Sequence, residues 1–213
     1  MDPEGQEKAE GQEDTKRRKS KEERRKEKLQ KMLAHMLSEE NVREQLSAWQ
    51  NCIDPASFVL NEFAFSGPLY GRFLERLYEH RRAIKAPIAK RSIWRCFGSP
   101  RNDAAHPSLL RLVFHGTPDQ NVESILLLGM RPSKRRADRR CDWFAYEPAF
   151  SKRFTVCKET KTRGKRLLVF LVLPVKKAVL HNSNMEDVLT MKHASYQLPV
   201  GTVEFVQAPA AQT

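Results

Sequence analysis

The sequence predicts an α+β fold in which helices come first and strands follow. Apolar residues recur at every third or fourth position from Leu29 to Trp49 and again from Leu69 to His80, which is the spacing of amphipathic helices. The second half instead carries short apolar runs with β-branched members at 112–114, 167–173 and 200–206. Such runs are typical of buried strands. We therefore predict a helical N-terminal segment followed by a β-rich core.

The first helical stretch contains a predicted break. Ser38 is followed by two glutamates, a pattern that can cap the start of a new helix. We therefore predict two helices in this stretch, the second beginning at Ser38.

Changes in composition divide the chain into four predicted regions. Residues 1–28 are highly charged and almost lack apolar side chains, so burial cannot offset the entropy of ordering and we predict a disordered basic tail. Residues 29–107 are predicted as a helical extension, residues 108–207 as the core and residues 208–213 as a second, short tail. The length suits one domain of ordinary size with a tail.

The positive charge of the chain indicates which classes of partner it could bind. The 213 residues carry a formal net charge of +12, and Lys and Arg cluster at 16–19 and 24–26. Such clusters match nuclear-localisation or nucleic-acid-binding patches, although a solvated charged tail has the same composition. No apolar run approaches the length of a membrane span, and the N-terminus lacks the apolar stretch of a secretory signal. We therefore expect an intracellular protein, nuclear or cytoplasmic, without a membrane partner.

The cysteines give no sign of a disulfide framework or a metal site. They are far apart in the sequence and form no CxxC pair. The four positions are Cys52, Cys96, Cys141 and Cys157. We expect reduced thiols and no bound metal.

The segment 112–154 carries the residues best suited to ligand binding. Its opening strand ends in His-Gly-Thr at 115–117, where a side chain can face a cleft and a glycine lets a ligand approach the backbone. A helix is predicted up to Leu128, with Gly129 as the glycine that follows its last turn. After a basic loop, Trp-Phe-Ala at 143–145 predicts a short strand that lines an aromatic pocket. This order of elements can hold a planar ligand.

Four features of this segment are spaced as in a known enzyme family. His-Gly-Thr at 115–117 is followed by Trp-Phe-Ala at 143–145. Ser151 lies eight residues after Trp143, and Phe154 lies three residues after Ser151. The pattern resembles the catalytic core of the poly(ADP-ribose) polymerase (PARP)-type ADP-ribosyltransferases, in which a tyrosine stands where this chain has Trp143. The resemblance covers about the C-terminal half of the chain, and it implies a split, mainly antiparallel β core that uses NAD as a substrate.

The resemblance implies a role for each matched residue. His115 would hydrogen-bond the adenosine ribose hydroxyls of NAD, and Gly116 would offer its backbone N–H and C=O to the nicotinamide carboxamide. Ser151 would give its hydroxyl to the same carboxamide, while Trp143 and Phe154 would stack on the nicotinamide ring. These residue types suit a planar amide, which needs a donor, an acceptor and aromatic faces.

The family's third catalytic position, an acidic residue that holds ribose hydroxyls, falls near residues 186–188. A strict count back from the following Leu-Pro strand selects Val188, and a shift of two residues selects Glu186. Gln197 or Glu204 would match in another register. An apolar residue at this position is found in mono-transferring members and in some inactive ones, so synthesis of a polymer is disfavoured. The catalytic candidates are His115, Trp143 and Glu186.

The resemblance implies NAD-dependent transfer of a single ADP-ribose unit to a protein or nucleic-acid acceptor, with release of nicotinamide. Three alternatives stay open: a catalytically inactive PARP-like binding protein, an RNA 2′-phosphotransferase that also uses NAD, and a basic nucleic-acid-binding protein without an enzymatic role. The loop 131–140 contains five arginines and one lysine. Its guanidinium groups could meet the pyrophosphate of NAD or an acidic acceptor, or simply be solvated.

Overall fold

The computed structural model describes residues 22–80, 110–135, 140–175, 177–179 and 187–206. Five α-helices and six β-strands are found in these ranges, which confirms the α+β class predicted from the sequence. The predicted tail 208–213 and residues 1–21 of the predicted N-terminal tail lie outside the described residues.

The first helix, α1, covers residues 22–36 and begins inside the region predicted as a disordered tail. Two i,i+4 ion pairs, Lys26 with Glu22 and Lys31 with Glu27, lie along its exposed first turns. Such pairs stabilise a helix locally. The later turns of α1 bury apolar side chains in the core, so the first turns extend a helix that is already anchored by packing. Residues 22–28 are therefore helical, contrary to the tail prediction.

Two further helices follow α1 before the cleft-forming part of the chain begins. Helix α2 (Glu39–Leu46) begins after Ser38, whose hydroxyl accepts a hydrogen bond from the Asn41 backbone N–H at 3.3 Å, as the sequence predicted. Helix α3 (Pro68–Glu79) starts with a proline at its first turn, where the missing N–H has no helical partner to lose. Among the helices of the described ranges, none combines the length and the apolar composition needed to cross a lipid bilayer.

Six strands in the described residues join one antiparallel sheet. The strands are β1 (Ile53–Leu60), β2 (Arg111–His115), β3 (Asp142–Ala145), β4 (Arg166–Val172), β5 (Val188–Met191) and β6 (Gln197–Phe205). The strand order is β1-β6-β4-β2-β3-β5, so the central strands β4 and β2 are flanked on both sides. Helix α4 (Val122–Leu128) follows β2, and helix α5 (Pro148–Lys152) follows β3.

Strand β1 corrects the description of residues 29–107 as a helical extension. It pairs antiparallel with β6, with Ile53 opposite Phe205 and Val59 opposite Thr202, and so forms one edge of the sheet. Pro55 lies inside β1, and the pairing register shifts between Asp54 and Val59. A proline is tolerated at a sheet edge, where its missing N–H leaves no interior ladder bond broken. The N-terminal segment is therefore built into the core sheet.

Strand β6 begins at Gln197, three residues before the run 200–206 predicted from the sequence. Pro199 lies within it, and the β4–β6 register shifts beside it, so that Val169 faces Gly201 and Phe170 faces Pro199. This shift is a local bulge, which lets the sheet accommodate the proline.

The N-terminal segment also packs directly behind the end of β2. The indole of Trp49, just after α2, meets the ring of Phe114 edge-on with 5.1 Å between ring centroids. Its Nε1–H donates to a carboxylate oxygen of Glu147 at 2.9 Å. Because Glu147 immediately precedes α5, this one side chain links the N-terminal helices to β2 and α5.

Candidate functional site

A cleft opens where strands β2 and β3 meet. The register places Phe114 of β2 opposite Ala145 of β3, and the next residue, His115, turns its ring toward β3. His115 Nδ1 lies 2.8 Å from the backbone oxygen of Trp143. Because a carbonyl oxygen can only accept, Nδ1 carries the proton and donates. In the neutral ring, Nε2 is then a hydrogen-bond acceptor.

The cleft has a volume of about 530 Å³ and is lined by the five residues predicted to bind the cofactor. This volume lies within the range of small-molecule sites, which run from about 300 to about 1,000 Å³. The predicted residues that line it are His115, Gly116, Trp143, Ser151 and Phe154. The resemblance implied that these five residues share one site, and the fold brings them together around one cleft.

Gly116 lies in close contact with the backbone of α5. A Cβ built at this position would be 2.0 Å from the carbonyl oxygen of Ser151 and 3.1 Å from the Cβ of Phe154. Contacts this short with backbone atoms cannot be relieved by rotating a side chain. Glycine is therefore required here because β2 and α5 approach each other closely, and this approach forms the back of the cleft.

Ser151 is buried in α5 and bonds back to the sheet. Its hydroxyl donates to the backbone oxygen of Phe114 at 3.1 Å, which fixes α5 against β2. Since the one hydroxyl proton is used in this bond, the Ser151 oxygen can offer its lone pairs to a donor in the cleft. The role implied by the sequence, donation to a carboxamide, would require this hydroxyl to rotate.

Aromatic rings border the cleft on the side of α5. Phe154 is 48% exposed, and its ring centroid lies 5.8 Å from that of Phe150, which also lines the cleft. Trp143 is half-buried in the opposite element, β3. Phe144, by contrast, is buried and packs edge-on against Phe170 with a centroid distance of 5.0 Å. Phe144 also lines the cleft but belongs to the core, while Trp143, Phe150 and Phe154 line the cleft and keep part of their surface exposed.

Burial sets the charge of His115. Desolvation by the surrounding core lowers the pKa of its imidazole below the ordinary value, opposed by the hydrogen bond to the Trp143 oxygen and by the nearby Asp142 carboxylate. A lowered pKa keeps the ring neutral near pH 7. The neutral ring is the form in which Nε2 can accept a hydrogen bond from a hydroxyl.

We expect the lowered pKa of His115 to make the protein less stable in acid. The folded chain binds a proton at this ring less readily than the unfolded chain does. The resulting stabilisation is complete above about pH 6.5, the ordinary histidine value, and is lost as the pH falls through the lowered pKa. Urea unfolding of wild type and His115→Gln at about pH 7.5 and about pH 5.5 measures this, and the wild type should lose more free energy of unfolding. Equal losses of free energy of unfolding in the two proteins would show that His115 does not cause the acid sensitivity.

The third catalytic position is only partly described. Glu186 lies outside the described residues. Val188, the position selected by the strict count, lines the cleft and pairs with Ala145 of β3. Neither of the other two candidates lines the cleft: Gln197 is buried with its amide bonded to Asp142, and Glu204 is exposed on β6.

A buried ion pair beside the cleft was not predicted from the sequence. The Asp142 carboxylate accepts two bonds from the Arg135 guanidinium, from Nε at 2.8 Å and from Nη2 at 2.5 Å, and a third from the Gln197 amide at 2.8 Å. Arg135 also donates to the Arg140 backbone oxygen at 3.2 Å, so it ties both ends of the basic loop to β3. The sequence signal was present: Asp142 is an acidic residue at a strand position directly after an arginine-rich loop.

The described first part of the basic loop, residues 131–135, forms a basic wall of the cleft. Arg131 and Lys134 line the cleft and are exposed, and residues 136–139 lie outside the described residues. Asp142 is the one carboxylate among the described lining residues, and it is held by Arg135. The wall therefore attracts anions. In the described part of the chain, no three His, Cys, Asp or Glu side chains cluster as ligands for a metal ion.

Comparison with known proteins adds no assignment. The chain matches no protein-family model, and it matches no curated protein.

Proposed function

We propose that this protein is an NAD-dependent ADP-ribosyltransferase that transfers a single ADP-ribose unit to a protein or nucleic-acid acceptor and releases nicotinamide. The observation that carries the proposal is the cleft between β2, β3 and α5. It joins a neutral histidine, a glycine backbone in close contact with α5 and a buried serine to aromatic faces, which is the set that the resemblance to PARP-type transferases implies.

The cleft supplies suitable groups for both ends of NAD. A nicotinamide carboxamide needs one acceptor and one donor, which the Gly116 backbone can offer, and the Ser151 oxygen can accept a further amide N–H. Trp143 and Phe154 provide faces for the pyridine ring. His115 Nε2 can accept a ribose hydroxyl. Arg131 lies on the basic wall, where it can meet a pyrophosphate.

The proposed reaction exchanges one bond to the ribose for another. The bond between nicotinamide and ribose breaks, and both electrons leave on the nicotinamide nitrogen. A nucleophilic atom of the acceptor then bonds the same ribose carbon and loses its proton. Val188, in the cleft wall, has an apolar side chain where an acidic residue would hold ribose hydroxyls. This supports transfer of a single unit in preference to chain extension. Glu186 is the proposed acidic participant.

We expect His115→Ala to weaken NAD binding by about 10- to 100-fold, the effect of leaving a hydrogen-bonding group without its partner in a buried site. Labelled NAD is incubated with wild type, His115→Ala and Glu186→Gln, and nicotinamide release is followed together with label on the acceptor. His35→Ala, which removes an exposed histidine from α1, is the matched control and should behave as wild type.

The outcomes separate the assignments. Turnover lost in both site variants supports Glu186 as the acid, and turnover lost in His115→Ala alone points to single transfer without an acidic third residue. Unchanged NAD affinity in His115→Ala would remove the site assignment.

A second function, NAD binding without turnover, is favoured by one observation. Val188 occupies the strict-count position in the cleft wall, where an acidic residue would be needed to hold ribose hydroxyls. In that case the wild type binds NAD and His115→Ala binds it more weakly, but neither protein releases nicotinamide in the presence of any acceptor.

A further inference from the structure

The chain that leaves the cleft is strongly basic. Residues 152–166 contain seven Lys or Arg side chains and one acidic side chain, Glu159. Glu159 accepts a hydrogen bond from the Cys157 thiol at 3.0 Å, and the outermost two basic residues are engaged, Lys152 over the ring of Phe205 and Arg166 with Glu123. The other five side chains are exposed and are here called the basic strip: Arg153, Lys158, Lys161, Arg163 and Lys165.

The basic strip lies on a hairpin that starts at α5. Val156 and Arg163 form an antiparallel bridge, and the Cys157 N–H donates to the Thr162 oxygen at 2.8 Å. The Gly164 N–H closes the hairpin by donating to the Thr155 oxygen at 3.0 Å. The backbone that carries these charges is therefore ordered, and it follows directly after α5, which borders the cleft. Among the described ion pairs, none neutralises a residue of the strip.

Where the strip reaches the cleft, the surface changes from cationic to aromatic. Phe154 is exposed at the mouth, and the Arg153 guanidinium carbon lies 5.4 Å from its ring centroid and 3.7 Å from that of Phe150. An arginine plane beside an exposed aromatic ring is a surface on which a nucleobase can stack. An acidic peptide would match the charge of the strip, but it would leave the aromatic face without a planar partner.

We infer that the basic strip and Phe154 bind single-stranded nucleic acid, with phosphates along the strip and one base stacked on Phe154. Single strands are bound in this way, by a positive groove that follows the backbone and aromatic rings that accept bases of any sequence. In a duplex the base faces stay stacked on one another, so a duplex would gain only the electrostatic attraction between its phosphates and the strip. The inference rests on the proposed function in one respect: the bound strand would be the acceptor of ADP-ribose, with its base taking the face of Phe154 that nicotinamide leaves when it is released.

Binding is tested without NAD, so that its outcome does not depend on catalysis. The probe is a fluorescent 20-nucleotide RNA of mixed sequence without secondary structure, and the readout is its anisotropy as salt is varied. Lys158→Glu/Lys161→Glu should weaken binding by about tenfold or more. It should also lower the slope of log affinity against log salt by roughly 1.4, because each neutralised phosphate of a single strand contributes about 0.7 to that slope. The full chain is used, so the basic N-terminal tail is the same in every variant.

The matched control changes the same total charge elsewhere. Arg72→Glu/Lys192→Glu alters one exposed residue on α3 and one after β5, and it should change the affinity by less than about twofold. Equal losses of RNA affinity in the two double variants would contradict binding at the basic strip, because net charge alone would then explain the affinity. Thermal unfolding confirms that each variant is folded.

The stacking interaction has its own test. Phe154→Ala should weaken RNA binding at least about fivefold, and Phe154→Tyr, which keeps the ring, should restore it. The same RNA annealed to its complement should bind more weakly than the single strand. Tighter binding of the duplex, or unchanged affinity in Phe154→Ala, would overturn the stacking interaction.

The acceptor role is tested last, with labelled NAD and the same RNA. Label that moves with the RNA supports the inference. Label that stays on protein overturns the acceptor class and leaves the proposed transferase intact. Absence of nicotinamide release, with RNA binding still weakened in the strip variant, overturns the proposed function and leaves the binding surface intact.

Discussion

Asp142→Ala is expected to lower the free energy of unfolding by about 3–5 kcal/mol, the effect of removing one partner from a buried ion pair. The Asp142 side chain is 1% exposed and that of Arg135 is 12% exposed, so alanine would leave a guanidinium that water reaches poorly. It would also remove the acceptor of the Gln197 amide. Urea unfolding followed by circular dichroism measures the change.

Two further variants test whether burial of the ion pair causes the loss of stability in Asp142→Ala. Glu39→Ala breaks the exposed pair with Arg43 on α2 and should lower stability by about 0.5 kcal/mol at most. Arg135→Met/Asp142→Leu removes both charges and should be more stable than Asp142→Ala, because no unpaired charge remains. A loss below about 1 kcal/mol in Asp142→Ala would mean that the pair is solvated.

Gly116→Ala is expected to lower stability by about 3 kcal/mol and to abolish NAD binding. The new Cβ would overlap the Ser151 backbone oxygen at 2.0 Å, so β2 and α5 must move apart. That movement would break the bond from the Ser151 hydroxyl to the Phe114 oxygen and open the back of the cleft. Thermal unfolding should show a fall in Tm of roughly 6–12 °C, and calorimetric titration should show no heat with NAD.

Gly71→Ala is the control for this substitution. Gly71 lies in α3 with no atom within 4 Å of an added Cβ. Alanine is the better helix former, so stability should rise by about 0.5–1 kcal/mol. If Gly116→Ala were as stable as Gly71→Ala, the close contact between β2 and α5 would not exist in solution.

Local sequence signals predicted the helices well. Ser38 predicted the start of α2 because a hydroxyl at that position satisfies a helical N–H, an interaction within three residues. Strand β1 escaped prediction for the opposite reason. Its stability comes from pairing with β6 at the far end of the sequence, and Asp54-Pro55 is locally typical of a turn.

The candidate site shows the same division. His115, Gly116 and Ser151 belong to one short stretch whose spacing follows a motif, so the sequence could bring them together before the fold was known. The bonds that hold Asp142 could not be derived that way, because one of its partners, Gln197, is 55 residues away. Which polar side chains meet across a core depends on strand order, and strand order is not encoded in any local pattern.

The pairing of β1 with β6 has a consequence for the order in which the chain folds. Ile53 and Phe205 are neighbours in the sheet but are separated by most of the chain, and the Asn61 amide reaches the Pro199 oxygen over 138 residues. During synthesis β1 emerges early and has no partner strand until β6 is made. Contacts of such long range close slowly. The central strand β4, apolar along almost its whole length, likewise lacks one of its two partner strands until β6 is made. A partly folded chain that exposes such a strand is prone to aggregate.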